Sequence, residues 1–240
     1  MLRLVVILLL ICLPKQVFAQ QKVPILVYHS IDHYSGLGSK ELYVTPENFE
    51  KQMNYLKNQG YTLVTFERWH ELSKIKNPIF LTFDDGYKDN RNAFEILQKL
   101  KDETFKPTAT FFVISDFVSN VNRLTHSELK MMSDSGIVSV QSHTATHPDL
   151  KKSKNLLYEL KGSKEKIEKI TGKPVIALAY PYGSFNERTA SEAKKYYSFG
   201  LTTTPESYSK KGIENEDFYL PRLYVKYSTN LEEFAKLIAN

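Results

Sequence analysis

The feature that most limits the fold is an alternation. Short apolar runs rich in β-branched and aromatic residues are each followed by a longer stretch whose apolar residues recur three and four apart. Residues 23–29 (VPILVYH), 61–66 (YTLVTF), 78–85 (PIFLTFDD), 108–114 (TATFFVI) and 137–143 (IVSVQSH) read as strands, as do 174–183, 198–204 and 218–225. Helices are expected over 45–60, through Trp69 and Leu72, and over 92–100, 126–136, 156–170, 187–197 and 231–239. The first is well punctuated: Thr45 can cap it, Pro46 suits its first position, and Gly60 stops it. Nearly continuous apolar strands separated by helices imply a parallel sheet covered on both faces. There are roughly seven or eight strands, and no glycine-rich phosphate loop follows the first. A single-domain α/β barrel, incomplete or distorted, is therefore expected over a doubly wound open sheet.

The first residues follow another pattern. MLRLVVILLLICLPKQVFA has one early cation, Arg3, an apolar run too short to span a bilayer, and a small residue at Ala19. Residues 1–19 read as a secretory signal peptide cleaved after Ala19, with an uncleaved anchor as the alternative. Cys12, the one cysteine, lies inside this segment behind Ile11, which argues against a lipid attachment site. The remaining chain, 20–240, then has neither disulfides nor thiolate chemistry. Formal charge is +5, or +3 without Arg3 and Lys15. Lysines such as Lys151, Lys152 and Lys154 are scattered, as on a solvated face, so nucleic acid is not the expected partner. A free monomer, secreted or periplasmic and without a membrane span after cleavage, is the expected form.

The informative residues close the strands. Asp84 and Asp85 end one, His143 another, His29 the first, and Tyr182 follows a fourth. In a (β/α) barrel those ends converge on one face, so residues far apart in sequence can meet there. His143 and His147, with one carboxylate, make a common catalytic metal set that leaves positions open for water and substrate. A His-x-x-x-His pair alone is better explained by two loop histidines, and Asp-Asp-Gly alone is as well explained by a helix-capping turn. Their company favours chemistry. Adjacent strand residues point apart, so one aspartate can hold an ion while its neighbour acts as general base, and Gly86 permits the turn between them. Zn²⁺ suits imidazole and carboxylate, as do Co²⁺, Ni²⁺ and Fe²⁺. Tyr28, Tyr87, Tyr180, Tyr182 and Phe185 could line a groove that stacks on a ligand, although strand-end aromatics more often pack. No Gly-x-Ser-x-Gly elbow supports a serine hydrolase on Ser30 or Ser142.

TFDDG, SHTATH and AYPYG, in this order, resemble the first three motifs of the NodB-homology polysaccharide deacetylases, carbohydrate esterase family 4. VPILVYHS, TPENFEKQMNYLKNQGYTLVTF, ATFFV and LPRLYV are similar to the branch acting on poly-β-1,6-N-acetylglucosamine. The resemblance spans nearly all of 23–225. It implies a distorted (β/α)7 barrel, with 20–240 as the catalytic domain and one divalent metal ion on Asp85, His143 and His147. It implies Asp84 as base, His29 as general acid and the backbone N–H of Tyr182 as an oxyanion donor. The substrate implied is an acetylated polysaccharide, with peptidoglycan, chitin oligomers or acetyl-xylan as alternatives, and a non-catalytic carbohydrate-binding protein as the alternative of another class. Two departures stand out. Ala179 occupies the place, two before Pro181, where many members carry an arginine beside the base, and Arg222 is the candidate replacement. No histidine follows His147, so the late Leu-x-His acid of many members is absent and His29 matches its counterpart. His33, His70 and His126 have no such company.

Overall fold

The structure, a computed structural model, describes residues 22–239; the segment read as a signal peptide lies outside them. Strands β1 (Ile25–Tyr28), β2 (Thr62–Val64), β3 (Pro78–Phe83), β4 (Ala109–Val113), β5 (Val138–Ser142), β6 (Ala177–Ala179), β7 (Phe199–Leu201) and β8 (Leu223–Tyr224) pair in parallel. Helices α1 (Pro46–Asn58), α2 (Asn90–Leu100), α3 (His126–Asp134), α4 (Ser163–Thr171), α5 (Glu187–Ala193) and α6 (Leu231–Ala239) pack outside them. Along the sheet the order is β7-β6-β5-β4-β3-β1-β8. Its ends meet, because Leu220 bridges Leu201 of β7 and the Arg222 backbone N–H donates to Thr204. β2 lies along the first half of β3, on the edge that β4 takes further on. The result is the expected distorted (β/α)7 barrel, a single domain.

Strand periodicity sorts the side chains into two cores. On β3, Ile79, Leu81 and Phe83 face the helices, while Phe80 joins an inner cluster with Ile25, Phe112, Ala177, Ala179, Phe199 and Leu201. Below the strands' N-terminal ends, Trp69 plugs the barrel, its ring 5.0 Å from Phe199 and 4.9 Å from Tyr208. At the opposite end the inward positions turn polar. Continuing the two-residue repeat places Asp84 beyond Phe80 and Thr82, His143 beyond Gln141, His29 beyond Ile25 and Val27, and Arg222 on the inner side before β8.

The same parity decides between packing and exposure for two of the strand-end aromatics. Tyr28 and Tyr180 are outward positions, fully buried against the helices. The Tyr28 hydroxyl donates to Gln52, and Tyr180 stacks on Phe185 at 5.1 Å, so neither lines an open groove. The helix expected from residue 92 begins at Asn90. The one expected over 156–170 contains a π-helical turn, Tyr158–Gly162, before α4.

Candidate active site

Asp84 and Asp85 leave β3 in different directions. Asp84 still belongs to the extended run: its N–H donates to Tyr28 carbonyl, and its buried carboxylate points inward. Asp85 takes a left-handed φ of 72° and Gly86 one of 65°. A Cβ on Gly86 would stand 3.0 Å from Val113 Cγ1, a close contact that adds to the left-handed φ in favouring glycine here.

Arg222, itself fully buried, grips Asp84 with both arms. Nη1 donates to Oδ1 at 2.7 Å and Nη2 to Oδ2 at 2.8 Å. Its Nε donates to Thr202 carbonyl at 2.9 Å, and Nη1 also reaches Thr82 Oγ1 at 3.2 Å. Bidentate, charge-assisted pairs of this kind fix geometry as well as charge. Burial alone would push the Asp84 carboxyl up; the Arg222 guanidinium overrides it and holds the group well below the usual carboxylate range. Arg222 thus stands beside the carboxylate that Ala179 leaves without a cation.

Asp85, His143 and His147 each turn one donor atom toward the others, all within 4.8 Å of one another. Asp85 Oδ1 lies 3.6 Å from His143 Nε2 and 3.5 Å from His147 Nε2, and the two Nε2 atoms are 3.1 Å apart. His143 Nδ1 lies 2.8 Å from Ala179 carbonyl, which can only accept, so Nδ1 carries the proton and Nε2 offers its lone pair to the cluster. With His147 Nε2 and the Asp85 oxygen beside it, this set of two imidazole nitrogens and one carboxylate fits a divalent ion. Burial and the neighbouring His143 push His147 down to about 4, keeping it neutral, the state a ligand needs. Asp84 Oδ2 lies 3.9 Å from His143 Nε2, beside the three donors.

His29 ends β1 next to this group, its ring 5.3 Å from that of Tyr224. Burial lowers its pKa, against the charges of Asp84 and Asp85, which favour the proton. Its Nδ1 is buried with no hydrogen-bond partner among the described residues. Tyr182 takes a φ of 60°, stands 70 % exposed, and puts its hydroxyl 3.2 Å from His147 Nδ1. Of the other histidines, His33 and His70 are exposed and His126 pairs with Ser119.

The structure adds residues that the motifs do not contain. Glu159, on the π-helical turn, is buried and accepts from Ala145 N–H at 3.0 Å, Thr146 N–H at 2.9 Å and Thr146 Oγ1 at 2.7 Å. It therefore braces the loop between His143 and His147, where Thr144 and His147 both have positive φ. A signal was present in the sequence: Glu159 lies three after Leu156 and four before Ser163, on the buried face of the helix. On the other side, Asp89, Asn90 and Asn92 hold the segment carrying His29. Asp89 accepts from Ser30 Oγ, Asn90 donates to His29 carbonyl, and Asn92 donates to Ile31 carbonyl.

A parallel barrel gathering two aspartates, two histidines and a buried arginine at its mouth has the make-up of a metal-dependent hydrolase. The sequence profile of the polysaccharide deacetylases matches residues 72–198, and the chain belongs to that family, whose members are metal-dependent hydrolases that remove N-acetyl groups. A Bacillus subtilis protein named as a polysaccharide deacetylase, YxkH, is 34% identical over 198 residues, covering 79% of this chain and 67% of its own. The poly-β-1,6-N-acetyl-D-glucosamine N-deacetylase of Staphylococcus epidermidis is 29% identical over 217 residues, 78% of this chain and 71% of its own. Among solved structures, BC0361, a polysaccharide deacetylase from Bacillus cereus, superposes with a TM-score of 0.90 at 56% identity, covering 91% of this chain and 69% of that one.

Proposed function

We propose that the protein removes acetyl groups from an extracytoplasmic polymer of N-acetylglucosamine, with the poly-β-1,6-linked form as first choice, and that Asp85, His143 and His147 hold Zn²⁺ while it does so. The observation that carries this reading is the convergence of three donor atoms beside a fourth, separately held carboxylate. A divalent ion bound there would supply Lewis acidity to the acetyl carbonyl and make water more acidic.

The protein's own side chains would then divide the remaining work. Asp84 accepts the proton of the attacking water. Arg222 keeps that carboxylate ionised and aimed, at the cost of making it a weak base, which is why a water already acidified is needed. The Tyr182 backbone N–H is assigned to the oxyanion. His29 donates to the departing amine, which would otherwise leave poorly. A depressed pKa makes its imidazolium a ready donor.

Support for the polymer comes from relatives named for poly-β-1,6-N-acetyl-D-glucosamine, and support for export from the pattern of residues 1–19. No helix among the described residues is long and apolar enough to cross a membrane. The test is acetate release from a β-1,6-linked acetylglucosamine oligomer, with chelator and then with added Zn²⁺. Release that chelation abolishes and Zn²⁺ restores supports the reading; release indifferent to chelator rejects the metal, and release only from chitin or peptidoglycan fragments rejects the polymer.

A further inference from the structure

His29 lies past the last paired residue of β1 on both sides: β3 pairs with it as far as Tyr28, and β8 as far as Val27. A carbonyl beyond the end of a ladder needs another donor. Asn90, fully buried at the start of α2, supplies one, its Nδ2 donating to His29 carbonyl at 2.5 Å. A carbonyl can only accept, which fixes the orientation of the amide.

The residue before Asn90 serves the same segment. Asp89 accepts from Ser30 Oγ at 2.5 Å and from Ile31 N–H at 3.2 Å, and Asn92 Nδ2 donates to Ile31 carbonyl at 2.8 Å. An aspartate immediately before a helix usually caps it. Asp89 makes no such bond; its carboxylate is turned to the residues after His29 instead. Asn90 Nδ2 lies 3.4 Å from Asp89 Oδ1, which ties the two holding groups together, and Asn90 N–H donates to Tyr87 carbonyl in the turn that follows Asp84 and Asp85. One helical turn therefore fixes the His29 backbone relative to the end of β3. The other neighbour of His29, the Tyr224 ring at 5.3 Å, makes a packing contact and cannot set that distance as hydrogen bonds do.

We infer that Asp89 and Asn90 are positioning residues: acting through the His29 backbone, they hold the imidazole where a departing amine can take its proton. This rests on the reading of His29 as general acid given above. As the C–N bond breaks, nitrogen keeps the bonding pair and accepts the His29 proton. An aryl oxide is stable as an anion and leaves without one. Neither Asp89 nor Asn90 hydrogen-bonds to Asp84, Asp85, His143 or His147. Removing them should spare metal binding and water attack and slow only the step that needs the proton.

The test compares leaving groups. With Zn²⁺ supplied, kcat/KM is measured on a β-1,6-linked acetylglucosamine oligomer, or on a chitin oligomer where only that is cleaved, and on 4-nitrophenyl acetate. Wild type is compared with Asn90→Ala, Asp89→Ala and His29→Ala. Amide hydrolysis should fall about tenfold or more in Asn90→Ala, and by a smaller factor in Asp89→Ala. Ester hydrolysis, and Zn²⁺ affinity measured by competition with a chromophoric chelator, should stay within about threefold of wild type in both. In the His29→Ala background either substitution should lower amide hydrolysis by less than about twofold more, because the group it positions is gone. These double variants decide the matter even where the wild type leaves the ester intact. Amide and ester rates falling together, Zn²⁺ affinity falling with them, an unaltered amide rate, or full additive losses in the double variants would each overturn the positioning role while leaving His29 as the acid. Full amide hydrolysis by His29→Ala would instead overturn the assignment of His29, and the positioning role with it.

Discussion

The two sides of the barrel are built differently. From β3 to β5 the strands are long and continuous; β4 and β5 pair over five residues, from Ala109 with Val138 to Val113 with Ser142. From β6 to β8 they shrink to three, three and two residues, and the seam between β7 and β8 rests on one bridge and a few loop hydrogen bonds. The long-stranded side carries Asp84, Asp85 and His143. The short-stranded side supplies Arg222 and Tyr182. Strongly paired strands fix the groups that must converge, while the weaker side reaches across to adjust them.

The largest effect should come from the strong side. Asp84→Asn keeps the shape and the Arg222 contact in part but loses the carboxylate proposed as proton acceptor. Steady-state deacetylation should fall roughly 10²–10⁴-fold; a loss below threefold would remove Asp84 from the chemistry.

Next comes the reach across. Arg222→Met leaves a buried carboxylate without its cation, and breaking such a pair costs about 3–5 kcal/mol, readable by urea unfolding. The folded pKa of Asp84 is depressed, so the pair's stabilisation is complete above the unfolded value of about 3.9 and fades as pH falls from there toward the folded value. In the variant that fade should vanish. Burial, no longer opposed, should also move the acid limb of the rate profile to higher pH. An unchanged limb would mean that Arg222 does not govern Asp84.

A subtler break targets the brace. Glu159→Gln removes acceptor capacity beneath the His143–His147 loop, and metal affinity measured by competition with a chromophoric chelator should drop about 10–100-fold, with near-wild-type melting. Full affinity would make Glu159 a packing residue only.

The smallest effects compare the two turns. At Gly86 the left-handed φ should cost an alanine about 1–2 kcal/mol, with Val113 yielding slightly. At Gly183, φ is also positive, and a Cβ would press on Thr203 Oγ1 and stand 3.0 Å from its backbone N, so Gly183→Ala should cost more than Gly86→Ala in thermal unfolding. The reverse order would contradict the close packing of that loop.

This division also governs what the chain's sequence discloses. Strands of the strong side end in Asp84 and His143 after clear apolar runs, so their shared face follows from periodicity and barrel geometry, whereas Asp85 joins them through a left-handed turn that alternation does not give. The weak side is harder. Residues 218–225 look like one strand, yet Pro221 has no N–H to give a ladder, and pairing splits into the Leu220 bridge and β8. Residues 174–183 likewise keep only Ala177–Ala179 in register. Arg222 is suggested only by the family resemblance, in which Ala179 stands where many members carry an arginine beside the base; its bidentate grip depends on the ring closing, which no local pattern encodes. Among the aromatics, parity separates packing from exposure: Tyr28 and Tyr180 alternate outward and are buried, whereas Tyr87 lies beyond the strand, where alternation no longer applies. Glu159 is marked only by its place on the buried face of its helix, which does not say what it holds.

The central claim is that Asp85, His143 and His147 grasp one divalent ion with Asp84 beside it but held by Arg222. Anomalous diffraction from crystals grown with ZnCl₂ tests it most directly. The account predicts one strong peak bounded by an Asp85 carboxylate oxygen and the Nε2 atoms of both histidines, with Asp84 still paired to Arg222. No peak there, or a peak on Asp84 with its arginine displaced, would contradict it.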